Sequence, residues 1–369
     1  MNKKLIFLLI IMILIIGGIY YLEKTKIKTP IQEIKDQKQN STLEELKDGK
    51  YKKAPELVGI SGYLNTEEIT IRNFTKQGKV VLIDFWTYTC INCIRTFPYL
   101  NSWYDKYKDM GLVIIGVHTP EFTFEKDYEN VKQALEKYNI KYPVVQDNDY
   151  LTWNAFNNHY WPRKYLIDKD GYIRYDHIGE GGYEEIEDKI KELLSEIGSS
   201  VENIETTKEE TKKNRFFITG ELYAGHAFAL SRDQDIGNKE GLQPGKIIDY
   251  ELPSKIDANK IYLNGKWKSN PDDIQLIDDE GFVFLLFYGN SANFVAKPLS
   301  TPVELEVFID GNYITKEMAG SDVQFNGSKT FINIDKPQLY NVVDGDYGNY
   351  KLTLKIKSKD FTLNSFTFG

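Results

Sequence analysis

One stretch of the chain constrains its fold more than any other. The run Lys79-Val80-Val81-Leu82-Ile83-Asp84-Phe85-Trp86 is followed, after a three-residue gap, by Cys90-Ile91-Asn92-Cys93. The run is apolar without alternation, as expected of a parallel strand covered on both faces. Residues 93–108 then read as a helix. The order is therefore strand, short turn, cysteine pair, helix. This order puts Cys90 at a helix N-terminus, where free N–H groups and the helix dipole favour a thiolate. The thiolate is the species that attacks a disulfide. Cys93, one turn later, points inward and is placed to resolve the resulting mixed disulfide. Ile91 and Asn92 add no positive charge, so the dipole acts alone, which argues against a very oxidising pair.

The chain has 369 residues and no cysteines besides these two. A small exported domain stapled by disulfides would carry several pairs. A structural zinc site needs four ligands, and His118, His159, His177 and His226 are scattered without ligand spacing. No metal and no cofactor are expected beyond the redox-active Cys90–Cys93 disulfide. The net charge of −8 argues against nucleic acid as a partner, because phosphate contacts need clustered Lys and Arg.

Lys3-Lys4 precedes an apolar run from Leu5 to Leu22. Its length is at the short end of what spans a bilayer, and the leading positive charge sets the N-terminus inside. Residues 1–22 are read as an uncleaved signal anchor, which predicts a single-pass membrane protein with its bulk extracytoplasmic. A cleaved signal peptide is the alternative, although Ile-Gly-Gly-Ile-Tyr-Tyr makes a poor cleavage site. Residues 23–54 are polar and read as a tether. Residues 55–198 alternate strand-like and helix-like segments, so an α/β sheet with crossover connections is expected. A second polar linker is read at 199–214. Residues 215–369 show short alternating runs at 216–223, 246–252, 260–267, 282–288, 303–309, 329–334, 350–356 and 361–368. Turn-like pieces such as Asn264-Gly265, Asp310-Gly311 and Asp344-Gly345-Asp346 separate them, so a β-sandwich of the jelly-roll kind is expected.

Several features of residues 55–198 resemble the thioredoxin superfamily, and in particular its membrane-anchored TlpA/ResA-type thiol-disulfide oxidoreductases. Asp84-Phe85-Trp86 precedes the cysteine pair, Pro98 follows Cys93 by five residues, and Trp161-Pro162 precedes the 164–168 strand. Residues 121–140 match the extra helical segment of TlpA-type domains. Residues 85–100 and 116–122 are more similar still to DipZ-type proteins. Those join a CcdA-like membrane electron carrier, a thioredoxin-like domain and a β-domain resembling carbohydrate-binding modules. Residues 220–227 and 366–369 resemble that last domain. Here a single apolar segment stands where the DipZ type has a multi-span carrier, so a separate CcdA-like electron donor is implied.

The resemblance also implies roles. Asp84 would accept a proton from beneath Cys93, a buried carboxyl being suited to proton transfer near neutrality. Pro162 would be cis and leave the backbone beside it open to a substrate strand. The glutamate that ResA-like proteins carry three residues after the second cysteine is Thr96 here, so that role is not carried over. The residue seven before Cys90 is Ile83, not the proline of the peroxidase motif.

Trp86, Tyr88, Trp153 and Trp161 are candidates to line a substrate groove, with core packing the alternative for Trp86 and Trp153. Tyr223, Trp267, Phe287, Tyr288, Tyr313 and Tyr340 are candidates to stack on a glycan, or are simply core. The expected function is reduction of disulfides in exported proteins, with a net disulfide-forming oxidant as the alternative. A reading of another class is a cell-envelope binding protein that keeps the fold as a scaffold.

Overall fold

The computed structural model describes residues 47–208 and 216–369, together with Met12 and Ile16. The expected anchor at 1–22 lies outside the described residues apart from those two, as does most of the expected tether. No helix among the described residues is long and apolar enough to cross a membrane. Residues Ala54–Gly369 form one compact unit.

The first half of that unit is a six-stranded sheet. Its strands are β1 (Gly62–Leu64), β2 (Val80–Trp86), β3 (Leu112–His118), β4 (Val144–Gln146), β5 (Arg163–Ile167) and β6 (Ile173–Ile178), in the order β1-β4-β3-β2-β5-β6. β2, β3 and β4 run parallel, and β5 runs antiparallel to β2. All seven residues of β2 and all seven of β3 are buried, which explains their unbroken apolar runs. Successive side chains point to opposite faces. Val80, Leu82 and Trp86 join one core cluster with Phe97, Leu100, Trp103 and Tyr107. Val81, Ile83 and Phe85 join another with Ile71, Trp153 and Phe156. Asp84 has the first of these parities, so it points into the layer beneath the cysteine-bearing helix.

The helices are α1 (Ile71–Thr75), α2 (Ile91–Tyr107), α3 (Tyr128–Lys137), α4 (Leu151–Ala155) and α5 (Tyr183–Glu196). The helix α2, which carries Cys93, begins two residues before the expected start at 93, with Cys90 as its N-cap. Pro98 sits inside it and cannot donate to the Ile94 carbonyl.

The expected linker at 199–214 is not free along its first part. Val201 is buried. The Thr207 N–H donates to Glu187 at 2.8 Å, and Lys106 Nζ donates to the Glu205 carbonyl at 2.8 Å. The anchor is buried Glu187, which also accepts from Trp103 Nε1 and Tyr107 OH. The polar composition reads as a linker, but one of its backbone N–H groups is held by that carboxylate and one of its carbonyls by Lys106.

The β-rich half contains one continuous eleven-stranded sheet with one short helix, α6 (His226–Ser231). Two strands are far longer than expected, β11 (Gly281–Pro298) and β16 (Gln338–Ile356). In β11 the alternation is interrupted at Gly289-Asn290, where a register shift carries the strand onward. In β16 the residues Asp344-Gly345-Asp346, read as a turn, lie inside the strand. Asn264-Gly265 likewise lies inside β9 (Ile261–Ser269). The first expected strand shrinks to β7 (Leu222–Tyr223), and Phe216 and Phe217 are exposed.

The two halves share a packed seam. Phe122 lies within the β-rich core cluster, and Ile91, Ile94 and Phe124 pack against it.

Candidate functional site

β2 delivers the chain to the turn at residues 87–89, and α2 starts immediately after it. The Cys90 N–H bonds the Thr87 carbonyl at 3.3 Å. Cys90 is extended and caps α2, and its Sγ accepts the Cys93 N–H at 3.3 Å. That contact puts one of the helix's otherwise unpaired N–H groups on the sulfur. Both cysteines are free thiols. Cys90 is partly exposed and Cys93 is buried. Burial, then the contact and charge of Cys90, push the Cys93 thiol well above the ordinary range. The two thiols therefore differ in environment, with Cys90 partly accessible and the Cys93 proton held more firmly by burial.

Asp84 is completely buried, and its Oδ1 lies 3.3 Å from Nζ of Lys164, itself only 1 % exposed. The two residues are direct partners across the β2–β5 ladder. Burial raises the Asp84 pKa, and the Lys164 charge opposes that rise. Tyr142 is buried beside them, and the charges of Asp84 and Cys93 add to burial in raising its phenol. Asp84 and Lys164 thus form a buried pair, with Tyr142 and Cys93 buried within reach of its charge.

The Trp161–Pro162 bond is cis. The Pro162 carbonyl accepts the Gly179 N–H at 2.8 Å. Trp161 is half-buried, donates Nε1–H to the Thr119 carbonyl at 3.1 Å, and packs on Trp153 with centroids 4.3 Å apart. Cys90 and Trp161 border the same core cluster.

Two groove candidates are corrected. Trp86 is fully buried between Phe97 and His118. Tyr88 is buried and stacked on His118. Trp86 lies on the covered face of the sheet and Tyr88 in the turn that follows it, and both rings are interior. His118 is also interior, and burial lowers its pKa to about 3. In the β-rich half, Tyr223, Trp267, Phe287 and Tyr340 are core, which removes four of the six glycan candidates. Tyr288 and Tyr313 are partly exposed.

Three polar residues near the site escaped the sequence reading. Lys164 is the second residue of β5, and a lysine at the edge of an apolar run is a signal of a buried partner. Tyr142 reads as an ordinary strand residue. Glu125 sits among the aromatics Phe122 and Phe124 with nothing local to mark it. It is fully buried and accepts from Thr89 Oγ1 at 2.5 Å.

Comparison with known proteins agrees with this architecture. Residues 51–176 match the AhpC/TSA family, and residues 219–369 match the thioredoxin-like C-terminal domain family. The chain is 33% identical over 322 residues to Protein DipZ of Mycobacterium bovis, an alignment spanning 86% of this chain and 43% of DipZ. The chain thus spans less than half the length of that relative. It is 32% identical to thiol-disulfide oxidoreductase YkuV of Bacillus subtilis, over 38% of this chain and 94% of YkuV. It is 31% identical to thiol-disulfide oxidoreductase ResA of Bacillus thuringiensis, over 38% of this chain and 77% of ResA. With nearly all of YkuV and most of ResA matched around a cysteine pair that caps a helix behind a buried parallel strand, the chain belongs to the thioredoxin-like thiol-disulfide oxidoreductases.

Proposed function

We propose that this protein reduces disulfides in exported proteins, working from the outer face of a membrane to which residues 1–22 anchor it. The observation that carries the reading is the unequal exposure of the two sulfurs, with Cys90 partly open at the helix cap and Cys93 buried.

The Cys90 thiolate attacks one sulfur of a substrate disulfide, forming a mixed disulfide and releasing a substrate thiolate, which takes a proton. The Cys93 thiol then gives its proton to Asp84 and attacks Cys90 Sγ. The second substrate sulfur leaves and is protonated, and a Cys90–Cys93 disulfide remains. Two electrons have passed from the dithiol to the substrate. They are restored by a dithiol donor, which we assign to a CcdA-like membrane partner, as the likeness to DipZ suggests. Pro162 and Trp161 are assigned to positioning the substrate strand, as the family resemblance implies for the cis-proline segment. A glycan-binding role for the β-rich half is not part of this reading, because most of its candidate aromatics are buried.

Two experiments test the proposal. A Cys93→Ser variant stops the reaction at the mixed disulfide and should accumulate exported proteins on Cys90, and an absence of captured partners would count against it. A reductant should show a midpoint potential of about −270 mV or lower, whereas a value near about −120 mV would favour net disulfide formation.

A further inference from the structure

Glu125 lies in the 3₁₀ turn Thr123–Lys126, with both carboxylate oxygens engaged. Oε2 accepts the backbone N–H groups of Glu121 at 2.5 Å and Phe122 at 2.9 Å. That half is ordinary, since an acid at this position of a helical turn often reaches back to the first N–H groups. A cap of that kind needs one oxygen and sits at the surface. Here the side chain is fully buried, and Oε1 turns the other way to accept Thr89 Oγ1–H at 2.5 Å. Thr89 is 36 residues away in sequence and directly precedes Cys90.

The same short segment is fastened to the β-rich half. Tyr223 OH donates to Glu121 Oε1 at 2.7 Å, and the Thr123 N–H donates to Asp272 Oδ2 at 2.9 Å. Phe122 is part of the β-rich core, and Ile91, inside the cysteine motif, packs against that core. The β-rich half therefore reaches the turn before Cys90 along a continuous path: Tyr223, Glu121, Glu125, Thr89.

We propose that Glu125 is a positioning residue for Cys90, holding the turn that presents the reactive sulfur and making that turn depend on the docked β-rich half. The inference rests on the reading of Cys90 as the attacking sulfur. A carboxylate is required because all three of these partners donate. A glutamine would keep its carbonyl on the two N–H groups and turn its NH₂ to Thr89, whose hydroxyl would then accept, so a short bond to a charged oxygen is replaced by a weaker neutral one.

The test uses the full chain and the variants Glu125→Gln, Thr89→Val, Thr89→Ser and Tyr223→Phe. The readouts are alkylation of Cys90 by iodoacetamide in a Cys93→Ser background, the midpoint potential of the intact pair, and reduction of insulin as a model disulfide. Thr89→Val loses the bond between Thr89 and Glu125 and Glu125→Gln strips it of its charge, and each should slow alkylation by about tenfold, the effect of about one net hydrogen bond. They should also move the potential by about 30 mV, the tenfold equivalent for a two-electron couple. Thr89→Ser keeps the hydroxyl and should restore both. Tyr223→Phe should move both in the same direction by a smaller amount.

Parent-like alkylation and potential in Glu125→Gln and Thr89→Val, with only thermal stability lowered, would reduce Glu125 to a structural cap and overturn the proposal. If Glu125→Gln does not fold, the contrast between Thr89→Val and Thr89→Ser decides. A parent chain that reduces no insulin would instead strike at the proposed function, and the alkylation comparison would still report on Glu125.

Discussion

Asp84 and Lys164 face each other across two antiparallel strands, with Nζ 3.3 Å from Oδ1 and neither side chain reaching solvent. An ion pair so placed is a weak source of stability but a strong constraint. Two charges have left water, and each is tolerable only while the other is there.

Lys164→Met should therefore destabilise the fold by about 3–5 kcal/mol, because it leaves a buried carboxylate unpaired. The double variant Asp84→Asn with Lys164→Met should recover most of that loss. Equilibrium unfolding in urea at pH 7 measures both. A single variant as stable as the parent would show that the pair contributes nothing.

Asp84→Asn should act on one chemical step. The Cys93 thiol is pushed up by burial and must lose its proton before it attacks Cys90. The mixed-disulfide resolution rate should fall by about 100-fold, the low end of what a general base supplies. Because the Asp84 pKa is raised by burial, the parent's resolution rate should climb with pH above the ordinary carboxylate range as Asp84 ionises. The variant should lack that limb. Rapid-quench analysis of the mixed disulfide across pH 4–8 gives the comparison.

Glu121 lies in the seam between the halves, where burial, then the charges of Glu221 and Glu125, raise its pKa to about 8. Tyr223 donates a hydrogen bond to it, and Arg232 lies 3.9 Å away. Its folded pKa is above the unfolded value, so the folded state holds the extra proton between them. Stability should then fall as pH rises from about 5 to 8, at no more than about 1.4 kcal/mol per pH unit. Glu121→Gln should flatten that slope. Thermal unfolding measured from pH 5 to 9 checks it, and identical slopes in parent and variant would exclude Glu121 as the titrating group.

Gly116 lies opposite Asp84 in the parallel β2–β3 register. A Cβ there would meet Trp86 Nε1 at 2.8 Å, Val144 at 3.1 Å and Tyr142 at 3.2 Å. Gly116→Ala should cost about 1–3 kcal/mol by overpacking. It should also disturb Tyr142 next to the Asp84–Lys164 pair. Urea unfolding gives the first effect and the insulin assay the second.

Much of the site was legible without coordinates, because its parts are local. The apolar run 79–86 and the spacing of Cys90 and Cys93 demand a buried strand feeding a helix, and that follows from periodicity and the chemistry of helix ends. The pair β5–β6 was legible for the same reason, since the Lys169-Asp170-Gly171 turn lies between two short strands. The long strands β11 and β16 were not legible. Their middles are polar or glycine-containing, and only pairing with each other carries the backbone through Gly289 and Asp344.

What the sequence by itself determined is the candidate chemistry, namely two cysteines three residues apart at the start of a helix. The tertiary structure alone decided their surroundings. Lys164 stands opposite Asp84 because of strand register, Trp86 is interior because of sheet parity, Tyr88 is interior because it stacks on His118, and Glu125 meets Thr89 because two distant turns pack together. Each of these is a contact between segments far apart in the chain, and no local pattern of residue types encodes such a contact.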